Sequence, residues 1–269
     1  MSGARSFATD DGTRLNIVSV GEGIPVVFLH GLCGDAGQTS EVFPAMSGYS
    51  RVTVEARGHG SSQPGPLDRL SIATFAGDIE RYIEKHLEAP VVIGGISMGA
   101  AISLRFAVMR PDLVRALIVA RPAWLTAAAP ENMAPNAEVG RLLGKLPPEL
   151  AKTQFLAGPI GQRLAELAPD NLASLTGFFD RRPIDVTAAL LTAIANDGPG
   201  IAVEDVARID VPALVLGHGQ DVIHPVEYAQ AIAAAIPRAR LVEIIPKSVS
   251  RAGYVADFRR ALADFLQEI

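Results

Sequence analysis

Short, almost wholly apolar runs constrain this chain most. Residues 25–30 (PVVFLH), 52–54 (VTV), 91–95 (VVIGG), 116–120 (ALIVA) and 213–217 (ALVLG) carry almost no polar side chain, and 241–245 (LVEII) carries one. A strand with one wet face alternates apolar and polar residues, whereas a strand covered on both faces reads as a continuous apolar run. Only residues 14–20 (RLNIVSV) alternate in this way and read as half-buried. Helical patterns fall between the runs, at residues 71–86, 98–110, 226–236 and 253–269. Strand and helix in alternation specify an α/β architecture, a mostly parallel twisted sheet flanked by helices.

One interval breaks that rhythm. Residues 122–208 contain no convincing strand, only helical segments separated by Pro and Gly. Asn136, Asp170 and Asp185 stand where helix N-caps are expected. The expectation is an all-helical cap, 122–208, inserted between two late strands of a core made of residues 1–121 and 209–269. Trp124, Phe155, Phe178 and Phe179 lie in this insertion. They read either as an apolar or mixed pocket roof or as lid helices packing on each other.

Charge and cysteine content narrow the partners. A formal net charge of −5 over 269 residues gives no electrostatic reason to expect nucleic acid, whose phosphates need a basic patch. Cys33 is the only cysteine, which excludes an internal disulfide and a multi-thiolate metal site. The N-terminal MSGARSFATDDG has no apolar run after its positive charges, and no apolar run approaches the roughly 20 residues of a bilayer span. The expectation is a cytoplasmic protein with a small-molecule partner, no membrane, no cofactor and no metal.

Gly95-Ile96-Ser97-Met98-Gly99 is a G-x-S-x-G pentapeptide that ends one apolar run and opens the helix MGAAISLRFAVMR. A serine on so sharp a strand-to-helix turn needs small neighbours, which Gly95, Gly99, Ala100 and Ala101 supply. The helix N-terminus also places free N–H groups where an oxyanion would form. The structural alternative is a tight turn in which Ser97 only caps the helix.

FLHGLCG (28–34), EARGHGSS (55–62), GGISMG (94–99) and GHGQDVIHP (217–225) together resemble the α/β-hydrolase superfamily over nearly the whole length. The resemblance implies Ser97 as nucleophile and the Leu32 and Met98 N–H groups as the oxyanion hole. It also implies Asp221, just past the run ALVLG, as triad acid, against a turn or cap role. The RGHG turn is architectural in relatives, which usually have Asp where this chain has Glu55, and the helical insertion corresponds to the family's cap.

The family's histidine belongs in IIPKSVSRAGY (244–254), which contains none. The two registers of relatives fall on Ser250 and Tyr254, neither a base at neutral pH. Ser250 also reads as a helix N-cap, and Tyr254, Phe258, Leu262 and Phe265 share one helical face. The substitute bases to consider are His30 and His224. His30 reads as a brace of the oxyanion loop, and His224, in a His-Pro pair, has its structural reading favoured. His59 belongs to the RGHG turn, His218 flanks Asp221, and His86 faces solvent. Cys33 reads as a small buried hydrophobe rather than a second nucleophile.

Three functions fit. The first is hydrolysis of a small ester or lactone by Ser97 with a non-standard or missing general base, for which slow acylation is expected. The second is a lyase or isomerase on the same fold, and the third a ligand-binding pseudohydrolase.

Overall fold

A computed structural model describes residues 3–269. Eight strands form one sheet: β1 Gly3–Ala8, β2 Arg14–Gly21, β3 Ile24–Leu29, β4 Tyr49–Val54, β5 Val91–Ile96, β6 Val114–Ala120, β7 Ala213–Gly217 and β8 Ala239–Glu243. Their spatial order is β1-β2-β4-β3-β5-β6-β7-β8. β1–β2 and β2–β4 pair antiparallel, and every later pair is parallel. The apolar runs are the parallel strands, and the alternating run is β2. β8 lies two residues earlier than the run LVEII, because the Ile245 N–H leaves the sheet to donate to Asp257 Oδ2 at 3.1 Å.

Eleven α-helices lie among the described residues, five of which flank the sheet. α1 Ala36–Val42, α2 Ile72–His86, α3 Met98–Met109, α10 Val226–Ala235 and α11 Arg251–Glu268 flank it. Alternate side chains of one strand enter different cores. Val27, Leu29, Ile93, Leu117 and Val215 pack in the core that holds α2, α3 and α10. Val26, Phe28, Val92, Ile118 and Leu216 face the other, which α11 closes with Tyr254, Phe258, Leu262 and Phe265. The stripe expected from the sequence is therefore the buried face of α11.

Between β6 and β7 the chain forms no strand and is mostly helical: α4 Ala134–Leu143, α5 Pro148–Ala157, α6 Pro159–Leu167, α7 Pro169–Gly177, α8 Ile184–Ala195 and α9 Val203–Val206, with short 3-10 turns. The expected caps are corrected here. α4, α7 and α8 start earlier, after Met133, Ala168 and Pro183, so Asn136, Asp170 and Asp185 lie in the first turn. Prolines set these starts, since a proline needs no N–H donor at a helix beginning. Relieved of capping, Asn136 and Asp170 are free for another use.

At the strand-to-helix turn the backbones approach closely. A Cβ on Gly95 would sit 2.6 Å from the Gly99 carbonyl carbon, and one on Gly99 would sit 2.5 Å from the Leu29 carbonyl oxygen. Gly99→Ala is expected to cost about 1–3 kcal/mol through overpacking. Gly177→Ala, where a Cβ meets nothing within 4 Å, serves as control. Thermal unfolding of both variants checks this, with Tm falling roughly 2–4 °C per kcal/mol in the first only.

Candidate active site

Ser97 lies between β5 and α3 at φ 55° and ψ −110°, a conformation that side chains seldom adopt. Its N–H is held by the Ala120 carbonyl at 3.0 Å, and its own carbonyl accepts from Ala101 N–H. Three other non-glycine residues beside it also have positive φ: Cys33 after β3, Arg121 after β6 and Gln220 after β7 (59°, 46° and 59°). All four line one cavity. Each such backbone costs about 1–3 kcal/mol and persists because the surrounding sheet fixes it.

The imidazole beside Ser97 belongs to His224. Its Nε2 is 2.9 Å from Ser97 Oγ, and its Nδ1 is 3.0 Å from both oxygens of Asp221. An ionised carboxylate only accepts, so Nδ1 carries the proton and Nε2 presents its lone pair to the hydroxyl. A hydroxyl so held can lose its proton to the imidazole as its oxygen attacks a carbonyl. The acid and the imidazole are three residues apart on one loop, and the His224 N–H also donates to Asp221 Oδ1 at 3.1 Å.

Asp221 is buried and richly bonded. Arg121 donates to its Oδ2 through Nη2 at 2.5 Å and Nε at 3.2 Å, and Asn171 Nδ2 donates to Oδ1 at 2.9 Å. Burial alone would raise this carboxyl's pKa. The charges and hydrogen bonds of His224 and Arg121 outweigh that and hold it well below the usual carboxylate range. His224 is shifted down, first by burial and then by Arg121, while Asp221 pulls the other way. The Arg121 Nη2 is only 3.1 Å from His224 Nδ1, so this cation opposes imidazolium formation.

The remaining site residues have definite places. Leu32 lines the cavity with Ser97 and Met98 follows Ser97 at the start of α3, and among the described residues neither N–H donates to a protein acceptor. Ser250 caps α11, accepting from Gly253 N–H at 3.0 Å. Tyr254 is buried, edge-on to His218 and Phe258, and its hydroxyl accepts from Arg121 Nη1 at 3.4 Å. Neither occupies the hydrogen-bonding position on Ser97, which His224 fills.

His30 is a brace, because Nδ1 donates to the Gly31 carbonyl at 2.8 Å and Nε2 accepts the Ala56 N–H at 3.1 Å. His59 is buried with Nδ1 on the Arg57 carbonyl, and His86 is exposed against Phe7 and Tyr82. Glu55 ties its turn together by accepting from the Ala36 and Ser61 N–H groups. Burial pushes the Cys33 thiol up to about 12, so it stays a neutral thiol in the cavity wall.

The cavity over Ser97 has a volume of about 250 Å³. Helices α4 and α7 supply much of its roof, with Met133, Asn136, Asp170, Asn171, Leu175 and Phe178. Of the four aromatic candidates only Phe178 lines it. Phe155 and Phe179 pack on each other with centroids 5.7 Å apart, and buried Trp124 donates to the Asp197 carbonyl.

The sequence reading passed over Arg121 and Asn171. A charged residue directly after the buried run ALIVA signals the first. Nothing local signals Asn171, whose Oδ1 accepts the Val222 N–H at 2.8 Å and so turns its Nδ2 toward Asp221.

Comparison with known proteins agrees with this architecture. The sequence model described as the alpha/beta hydrolase fold matches residues 24–247. BpoC of Mycobacterium tuberculosis, named as a non-heme bromoperoxidase, is 28% identical over 247 residues, covering 89% of this chain and 90% of its own. An enol-lactonase from Burkholderia xenovorans LB400 superposes with a TM-score of 0.74 at 23% identity, over 98% of this chain and 100% of its own. For a thermophilic esterase from Thermogutta terrifontis the TM-score is 0.75 at 20% identity, over 100% and 98%.

Asn171→Ala strips one donor from the buried Asp221 carboxylate and one acceptor from the Val222 N–H. The expected loss is about 1–3 kcal/mol of stability, read from urea unfolding at constant slope.

Proposed function

The chain belongs to the α/β-hydrolase fold family, and on that premise we propose that it hydrolyses a small ester or lactone with Ser97 as nucleophile and His224 as general base. One observation carries this reading: Ser97 Oγ, His224 Nε2 and Asp221 form a continuous hydrogen-bonded line, with 2.9 and 3.0 Å contacts. The base is non-standard in position rather than absent. Residues 122–208 act as the cap that roofs the pocket.

The steps follow from the proton inventory. Ser97 Oγ bonds to the substrate carbonyl carbon while its proton passes to His224 Nε2. The carbonyl oxygen takes the negative charge, facing the Leu32 and Met98 N–H groups. As the carbon–oxygen bond to the leaving alcohol breaks, His224 returns the proton to that oxygen. A water then attacks the acyl-enzyme with His224 again taking the proton, and Ser97 leaves as the hydroxyl. Asp221 stays ionised and keeps the imidazole in its working tautomer. A cavity of about 250 Å³ is below the ordinary ligand-pocket range of about 300–1,000 Å³, which fits a small substrate.

A serine-directed fluorophosphonate is expected to label wild type at Ser97, and neither Ser97→Ala nor a boiled sample. His224→Gln should lower both labelling rate and ester turnover by about 10²–10⁴. Fast labelling of His224→Gln would transfer the role of base to another group.

The pH profile supplies a separate check. The base works only when neutral, and His224 is shifted below the ordinary imidazole value of 6.5. The acid limb of kcat/KM is therefore expected to turn below 6.5. Arg121→Met removes a cation that opposes the imidazolium, so its limb should turn at higher pH. A limb that moves down or stays in place contradicts this account of Arg121.

A further inference from the structure

Three side chains in the wall of the Ser97 cavity have a buried polar atom with no hydrogen-bond partner: Asn136 Oδ1, Asp170 Oδ2 and His218 Nε2. Asn136 is 5% exposed, and its carboxamide bonds to no described residue. His218 is also 5% exposed. Its Nδ1 donates to the Gly219 carbonyl at 2.7 Å, which leaves Nε2 a bare acceptor. The Asp221 Oδ2 atom, 3.7 Å away, offers that nitrogen no hydrogen. Asp170, in the first turn of α7, is an acceptor when ionised.

Buried acceptors in a folded protein are almost always paired, and each unpaired one costs free energy that a partner recovers. Here the orphans converge from α4, from α7 and from the loop after β7 on one cavity, the one that contains Ser97. The missing partners are hydrogen-bond donors. We propose that the substrate is an ester or lactone bearing free hydroxyl groups, held by Asn136, Asp170 and His218 beside Ser97.

Hydroxyl is the donor that fits best. Asn136 presents both a donor and an acceptor, which a hydroxyl matches in either orientation. The wall is also balanced in charge, since Asp221 is paired with Arg121 and Lys247 lines the same cavity as Asp170. A cationic ammonium would find no net negative site. A plain alkyl ester fills the same space and leaves the orphans unpaired, which is the situation in which a polar site rejects an analogue lacking the group.

This inference rests on the hydrolase reading, and the test separates the two. Two matched pairs are compared: 2,3-dihydroxypropyl butanoate with propyl butanoate, and ethyl 2,3-dihydroxybutanoate with ethyl butanoate. In at least one pair the dihydroxy member is expected to have kcat/KM about tenfold higher or more. Asn136→Leu should bring that ratio toward one, and because a ratio is read, a general loss of rate cancels. Calorimetric binding of the same esters to Ser97→Ala should show the same preference with the chemistry removed. Such a preference without turnover by wild type sinks the hydrolase reading and leaves only the recognition of hydroxyl groups by this wall standing. Equal rates and equal binding within both pairs, or an Asn136→Leu ratio equal to that of wild type, overturn the proposal and leave the orphan atoms to bound water.

Discussion

The Asp221 carboxylate is the charge around which the site is assembled. Its side chain is 1% exposed, and a carboxylate taken that far from water is costly unless it is paired and hydrogen-bonded. Each compensating group comes from a different part of the chain. Arg121 follows β6, Asn171 stands on α7 of the insertion, and His224 belongs to the loop of Asp221 itself. Satisfying one charge therefore fixes the end of β6, the helical segment after it and the loop after β7 relative to each other.

The same contacts decide what the imidazole does. With Asp221 accepting at Nδ1, the free lone pair of His224 has only Nε2 to occupy, and Ser97 Oγ stands there. Arg121 adds a second influence, because its guanidinium touches both the carboxylate and the imidazole. It strengthens Asp221 as an anion while disfavouring a positive charge on His224. In the proposed chemistry the imidazole is thus kept neutral at rest, with Nε2 unprotonated, at some cost to the imidazolium formed during attack. Tyr254 completes the arrangement by accepting from Arg121 and lying against its guanidinium.

Much of the fold was legible because burial writes itself locally. A strand covered on both faces has to be apolar at every position, so β3, β5, β6 and β7 announced themselves. The α11 stripe followed from its period. β1 and α1 were missed because their short, mixed sequences carry no period. The cap residues were misjudged for a related reason. Asn136 and Asp170 have the chemistry of N-caps, but the neighbouring Pro135 and Pro169 moved the helix starts upstream. Their side chains then became part of the cavity wall.

The sequence by itself determined the α/β class and the turn that carries Ser97, because each depends on neighbours within a few residues, while Asp221 was placed only by resemblance to the family. Gly95 and Gly99 make that turn possible through close backbone approach, a requirement visible in the pentapeptide itself. Which histidine meets Ser97 was decided only by tertiary structure. Ser97 and His224 lie 127 positions apart, and no local pattern separates His224 from His30 or His218. What separates them is what surrounds each ring. His30 has both nitrogens taken by backbone groups, and His218 spends its proton on the Gly219 carbonyl. His224 alone has a carboxylate on one side and the serine hydroxyl on the other, a coincidence that exists only once β5 and β7 lie two strands apart in the same parallel sheet.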